Sequence, residues 1–152
     1  MQTVRIRDAE TGDLPTLLTF EQALIEAERP FDPTIADDAI SYYDLGAYVE
    51  RDDVKVMVAE IEGQVVSSGY ALAKTARHYL DHEQYGYLGF MYTLPEFRGR
   101  GINQQIVEAL KHWCLARGLH EIRLTVYEDN LPAIRAYEKA GFKKHLVEMR
   151  IE

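Results

Sequence analysis

The chain changes its hydrophobic period across a pair of glycines, and few folds tolerate that change where it falls. Tyr85 to Thr93 has strand character and Pro95 ends it. From Gly101 the period is helical: Ile102, Ile106, Ala109, Leu110, Trp113 and Cys114 line one face, and Gly118 supplies a left-handed C-terminal stop. Between them lies Pro95-Glu-Phe-Arg98-Gly99-Arg100-Gly101-Ile102-Asn103. A strand must therefore pass through a glycine-rich turn directly into an amphipathic helix. The glycines let a backbone approach a ligand closely, and the first amides of the helix are unpaired and point outward. Those donors and the helix dipole both favour a negative group such as phosphate.

Flanking segments set the fold class. Val4-Arg5-Ile6-Arg7 alternates as a short strand. Asp13 then precedes a helix carrying Leu14, Leu17, Leu18, Ala23, Leu24 and Ile25, with Asp13 as capping acid and Pro15 in the first turn. Arg29 to Pro33 breaks it, and a weaker helix is expected from Thr34 to Tyr48. Val54–Ile61 and Gln64–Lys74 form a hairpin about Glu62-Gly63. Arg77 to Glu83 reads as loop, Glu121 to Tyr127 as a strand, Asn130 to Gly141 as a helix, and Phe142 to Ile151 as a last strand. The order β-α-α-β-β-β-α-β-α-β predicts an α/β (α+β) fold with a mixed, mostly antiparallel sheet flanked by helices. With 152 residues and no repeat or linker-like tract, one domain over 1–152 is expected.

Charge and cysteine content narrow the function. A net charge of −8 argues against nucleic acid or an anionic membrane as partner. Residues 1–60 hold 14 acids against 5 Lys/Arg, whereas residues 61–152 hold 11 against 12, so the negative excess is all in the first part. No apolar run approaches the ~18 residues needed to span a bilayer, and the alternating start is unlike a signal peptide. The single Cys114 excludes an intrachain disulfide and any multi-cysteine zinc site. The expectation is a cytoplasmic protein.

Known phosphate loops fit poorly. No Gly-x-x-x-x-Gly-Lys-Ser/Thr is present, the dinucleotide pattern fails where Gln104 replaces its third glycine, and no Gly-x-Ser-x-Gly elbow exists. Instead, Pro95-x-Phe-Arg98-Gly99-Arg100-Gly101 resembles the coenzyme A pyrophosphate loop of the GNAT superfamily of N-acyltransferases, with pattern Gln/Arg-x-x-Gly-x-Gly/Ala. Leu124-Thr-Val126, then Asn130-Leu-Pro-Ala133-Ile-Arg-Ala-Tyr137-Glu-Lys-Ala-Gly141-Phe142, is similar to that family's second motif. The order of elements matches as well, so the resemblance covers essentially the whole chain. It departs at Asn103, where the pyrophosphate pattern ends in Gly or Ala.

The resemblance implies a sheet split between the strand ending near Thr93 and the strand Glu121–Tyr127, with acyl-CoA in the split. Arg98, Gly99, Arg100, Gly101, Ile102 and Asn103 would wrap the pyrophosphate through backbone amides. Met91, Tyr92 and Thr93 would pair with the pantetheine arm like an added strand, and an amide in this stretch would help hold the oxyanion. Asn130 would hydrogen-bond the coenzyme near its reactive end. Tyr137 would be catalytic, protonating the departing thiolate, although by periodicity alone it packs beside Ile134. The implied activity is an acetyl-CoA-dependent N-acetyltransferase acting by direct attack of a primary amine, with no metal. Its rival is a non-catalytic acyl-CoA sensor of the same fold. The acceptor, a small molecule or a protein amine, is expected to be cationic given the acidic first part of the chain. Dimers are common in families resembling this one, and a homodimer stays open.

The general base is less marked. Some members of the family it resembles place a Glu on the strand before the pyrophosphate loop, where this chain has Tyr87. Glu83 and Glu28 are candidates, each with a solvated carboxylate as its simpler reading, and a water chain is the alternative. His78 and His82 lack the His-Glu-x-x-His arrangement and read as a surface pair. Cys114 reads as a buried, unreactive thiol. Tyr42, Tyr43, Tyr70, Tyr79, Tyr85 and Tyr87 could line an acceptor pocket or simply pack.

Overall fold

The computed structural model describes residues 2–152. Five strands form one sheet in the order β1-β2-β3-β4-β5: β1 Val4–Asp8, β2 Val54–Ile61, β3 Gln64–Thr75, β4 Gln84–Thr93 and β5 Ile122–Arg123. The first four run antiparallel, and β5 joins β4 in parallel. Helices α1 Leu14–Glu28, α2 Leu45–Glu50, α3 Ile102–Ala116 and α4 Leu131–Lys139 complete the chain. No helix among the described residues is long and apolar enough to cross a membrane.

Strand alternation divides the core into two layers. Val54, Val56 and Val58 of β2 pack on the α1/α2 side with Leu17, Phe20 and Leu45. Ala59 and Ile61 pack on the other side with Ile102, Ile106, Val107, Leu110 and Cys114 of α3. Each fully buried Ile or Leu contributes about 1.5–3 kcal/mol. Two strand glycines let α3 sit this close. A Cβ on Gly69 would lie 2.9 Å from Ile106 Cγ2, and one on Gly86 would lie 2.6 Å from Cys114 Sγ. The β2–β3 hairpin turns through Glu62 and Gly63, at φ 50° and 80°, the pair of positive values that suits a tight two-residue turn.

The structure departs from the sequence reading at three elements. Thr34–Tyr48 is not a helix; only Leu45–Glu50 is, and residues 32–44 are irregular. Their hydrogen bonds go to α1 instead. Glu21, 1% exposed, accepts from the amides of Tyr42 and Tyr43 through Oε2 at 2.9 and 2.8 Å. Gln22 donates to the Ile40 carbonyl at 2.9 Å. The strand expected at Glu121–Tyr127 is only two residues long, and Phe142–Ile151 forms no strand. Leu146, Val147, Met149 and Ile151 stay exposed, so this alternating run lacks the buried face that fixes a strand's register. A smaller correction concerns Asp13. Its carboxylate does not cap α1 but accepts from the Glu10 amide and pairs with Arg7.

Candidate active site

The site begins with a defect in β4. Its pairing with β3 slips between Ser68 and Tyr70, so that Ser68 faces Tyr92 while Tyr70 faces Gly89. Phe90 takes φ 56°, a left-handed value that costs a bulky residue of order 1–3 kcal/mol. Two successive residues consequently face the α1 side: a Cβ on Gly89 would strike the Tyr70 ring at 2.6 Å, and Phe90 packs against Tyr43 with ring centroids 5.5 Å apart. Two buried serines of β3 hold the slipped strand. Ser68 donates to the Phe90 carbonyl at 3.1 Å and Ser67 to the Tyr92 carbonyl at 2.8 Å. Such β-bulges bend a strand and increase its twist.

The bend leaves an open edge. Only Gly86 and Tyr87 pair with β5, opposite Ile122 and Arg123. Beyond them, the stretch of β4 that carries Met91, Tyr92 and Thr93 has no strand on that side among the described residues. Met91 packs toward α3, Tyr92 lies in the α1-side core, and Thr93 bonds Ser67 through its hydroxyl at 2.8 Å. An extended ligand arm finds unpaired backbone here.

At the end of β4 the chain turns into α3. Gly99 and Gly101 have φ 78° and 77°, and no atom stands within 4 Å of where either Cβ would lie. The left-handed backbone, rather than any lack of room, favours glycine at both positions. The first helical bond of α3 runs from the Gln105 amide to the Gly101 carbonyl at 3.3 Å, so the amides of Ile102, Asn103 and Gln104 lack helical partners. The two arginines brace the loop. Arg98 Nε donates to the Thr93 carbonyl at 2.8 Å and Arg100 to the Glu96 carbonyl at 3.1 Å. Their guanidinium groups lie 5.6 Å from the Tyr92 ring and 5.0 Å from the Phe97 ring. Anion-binding capacity at this loop therefore resides in backbone N–H groups and the helix end.

The far wall comes from α4. Asn130 is its N-cap, with Oδ1 accepting from the Ala133 amide at 3.4 Å. One turn beyond Ala133, the Tyr137 ring meets Phe142 edge-on at 6.1 Å, while Ile134 is buried. Burial, then the nearby Glu28 charge and Tyr87, push the Tyr137 phenol up to about 12. The hydroxyl has no protein hydrogen-bond partner among the described residues. Across the split, Tyr87 and Thr125 share a 2.7 Å hydroxyl contact, and Lys74 Nζ sits 3.8 Å over the Tyr87 ring.

Glu28 and Glu83, the two acids singled out from sequence, fare differently. Glu83 is exposed. Glu28 ends α1, half-buried, and desolvation raises its carboxyl above the usual range, against a smaller opposing influence of the Tyr42 hydroxyl. Of the tyrosines named from sequence, Tyr43 packs in the α1-side core against Tyr70 and Phe90, Tyr42 packs edge-on against Tyr43, Tyr87 shares a hydroxyl contact with Thr125, Tyr70 is core, Tyr79 is exposed, and Tyr85 stacks beneath Arg123 at 4.4 Å. His82 Nδ1 meets Asp81 at 2.8 Å and His78 packs on Tyr79. Cys114 is buried, its thiol pushed up to about 11 by desolvation. The bulge at Phe90 is invisible in the pattern of apolar residues. The pair Ser67-Ser68 inside an otherwise apolar strand was the one available signal.

A split sheet with a bulged strand, an anion-binding turn and a phenol in the cleft defines the class of acyl-CoA-dependent transferase folds. The chain belongs to the family described as the acetyltransferase (GNAT) family, whose model matches residues 19–142. It is 32% identical over 103 residues to an acetyltransferase of Pectobacterium atrosepticum, covering 66% of this chain and 65% of that protein. The match thus spans slightly less than two thirds of the relative's length. Among solved structures it resembles a Bacillus halodurans protein with TM-score 0.84 at 20% identity, covering 97% of this chain and 98% of that one. It also resembles an aminoglycoside N-acetyltransferase in complex with CoA, with TM-score 0.74 at 18% identity, covering 100% and 95%.

Proposed function

We propose that the protein transfers an acetyl group from acetyl-CoA to a primary amine by direct attack in a ternary complex. The observation that carries this reading is the juxtaposition of an open β4 edge with a protonated phenol across the split. Acetyl-CoA would lay its pyrophosphate against the amides from Gly99 to Asn103 and its pantetheine arm along Met91, Tyr92 and Thr93. Asn130, whose Oδ1 is taken by the α4 cap, would offer its Nδ2 to the coenzyme. An amine nitrogen attacks the thioester carbon, a β4 amide beside the bulge steadies the oxyanion, and Tyr137 gives its proton to the departing sulfur. A phenol with its pKa near 12 is fully protonated at neutral pH and is ready to donate.

The reading also takes residues 1–152 as one catalytic domain in a reducing, cytoplasmic setting, with no nucleic acid or membrane as partner. The CoA-bound aminoglycoside N-acetyltransferase supports a small amine as acceptor, and a second copy of the chain as partner is compatible with it. Thermal melting with acetyl-CoA, followed by a turnover screen over an amine panel, tests the reading. Ligand at ~100 times its dissociation constant should add ~2.7 kcal/mol of stability. Gly101→Val, which forces a β-branched residue to φ 77°, should abolish that shift. An unchanged melting point at saturating acetyl-CoA sinks the proposal, and binding without turnover of any amine leaves the sensor reading in its place.

A further inference from the structure

We propose that Glu21 is a positioning residue for the β4 amide that receives the thioester oxygen: its buried carboxylate fixes Tyr43, and the Tyr43 ring in turn holds the bulge at Phe90. The proposal rests on the acetyl-transfer reading above.

Glu21 stands where an apolar residue belongs. Leu17, Phe20, Glu21 and Ile25 are the buried residues of α1, one inward stripe at helical spacing, and Glu21 is its single acid. One oxygen, Oε2, accepts both the Tyr42 amide at 2.9 Å and the Tyr43 amide at 2.8 Å. The other, Oε1, is buried with no hydrogen-bond partner among the described residues. A buried carboxylate with one oxygen unused costs stability that an apolar side chain would not. What it supplies is a fixed place for two successive amides in a segment with no helix or strand of its own. The segment's other ties to α1 lie at the surface: Gln22 to the Ile40 carbonyl at 2.9 Å, and Arg29 to the Ala36 carbonyl at 2.8 Å.

From Tyr43 the contacts lead to the bulge. Its ring stands edge-on to Tyr70 at 5.1 Å and to Phe90 at 5.5 Å. Tyr70, itself braced edge-on by Tyr48 at 5.5 Å, fills the space that Gly89 leaves open, where a Cβ would meet the Tyr70 ring at 2.6 Å. Tyr43 thus packs on Phe90 directly and on Gly89 through Tyr70. Phe90 keeps φ 56° beneath these rings, while its carbonyl accepts from Ser68 at 3.1 Å on the strand side. A strained angle of this kind persists only where its surroundings over-determine it. The serine constrains the bulge from β3, and Tyr43 constrains it from the α1 side. Without Glu21 that second constraint loosens, the backbone at Phe90 relaxes toward ordinary β geometry, and the amides beside it turn away from the thioester oxygen.

Glu21→Ala and Tyr43→Leu test the relay. Both should keep the acetyl-CoA-induced melting shift and its dissociation constant, because neither residue belongs to the Gly99–Asn103 loop or to the open β4 edge. Each should lower kcat by about 10²-fold, the usual effect of displacing a catalytic group by ~1 Å, with little change in KM for the amine. The slow hydrolysis of acetyl-CoA without amine, which needs the oxyanion contact and no acceptor pocket, should fall in proportion. The double variant should lose no more than the worse single one, since both act on one contact. Glu21→Gln, whose amide oxygen can accept the same two N–H groups, should recover most of the turnover lost in Glu21→Ala. Infrared spectra of isotope-labelled acetyl-CoA should show a carbonyl stretch lowered on the wild type and shifted back toward the free value on Glu21→Ala. Variants that melt earlier yet keep wild-type kcat and carbonyl stretch overturn the proposal and leave Glu21 a stabilising residue only. Losses that multiply in the double variant overturn it as well. Should Glu21→Ala fail to fold, Tyr43→Leu decides: wild-type kcat there overturns the relay, and a matched loss of transfer and hydrolysis supports it. A wild type whose melting point ignores acetyl-CoA would instead end the acetyl-transfer reading, and this proposal with it.

Discussion

At the scale of single residues, the split sheet asks more of Tyr137 than of any loop residue. Its ring has a packing role against Phe142, and its hydroxyl has none, since no protein group among the described residues accepts from it. Removing the oxygen therefore leaves packing intact and removes only the interaction proposed to develop at sulfur in the transition state. Tyr137→Phe should lower kcat by about 10²–10⁴-fold while the acetyl-CoA dissociation constant changes little. Steady-state kinetics beside calorimetric titration checks both halves, and near-normal turnover would reduce Tyr137 to a core residue. The sequence motif that marked Tyr137 could not mark Phe90. Motif spacing reports side chains, whereas Phe90 matters through a backbone angle set by Ser67 and Ser68 on the neighbouring strand.

At the scale of elements, legibility tracked how local each element's cause was. Helix α3 and its stop at Gly118 were readable because the apolar stripe and a glycine at φ 77° are properties of the segment itself. The β2–β3 hairpin was readable for the same reason. The 34–48 segment misled because its backbone is held by Glu21 and Gln22, both more than a dozen residues away. Asp13 misled likewise, since a better partner than the helix end stood nearby in space. Arg7 of β1 binds Asp13 at 2.8 Å and Glu60 of β2 at 2.6 Å, tying two strands to the entry of α1 with all three side chains largely shielded. The Arg7 hydrogen bond, chiefly, holds the Asp13 carboxyl below its ordinary value. A depressed carboxyl contributes stability above its unfolded pKa of ~3.9, and this is lost as pH falls through the lower folded value. Arg7→Met should therefore cost roughly 1–3 kcal/mol at pH 7 and noticeably less below about pH 3. Urea midpoints measured across that window decide it; an equal cost at both ends would assign the loss to packing alone.

At the scale of the whole molecule, charge is distributed in the sense that two oppositely charged substrates require. Residues 1–60 carry a net −9 and residues 61–152 a net +1. Much of the early charge is already matched: Asp13 and Glu60 by Arg7, Asp8 by Lys55, Asp53 by Arg51, and Glu26 by Arg29. What remains on the 32–44 segment is Asp37, fully exposed and 4.0 Å from Arg29, and Asp38, with no ion pair among the described residues. These lie on the segment that presents Tyr42 and Tyr43, whereas the loop from Gly99 to Asn103 offers backbone amides and a helix end for an anionic coenzyme. A basic amine and acetyl-CoA would thus be drawn toward different ends of the cleft. Steering of this kind raises encounter rates and is screened beyond ~8 Å at physiological ionic strength. For the preferred amine, kcat/KM should fall as salt rises while kcat stays nearly constant. Replacing Asp37 and Asp38 together by Asn should flatten that dependence without altering kcat, because both side chains are exposed to solvent. A best acceptor that is neutral or anionic, or a kcat/KM indifferent to salt, would show that these carboxylates serve only solvation.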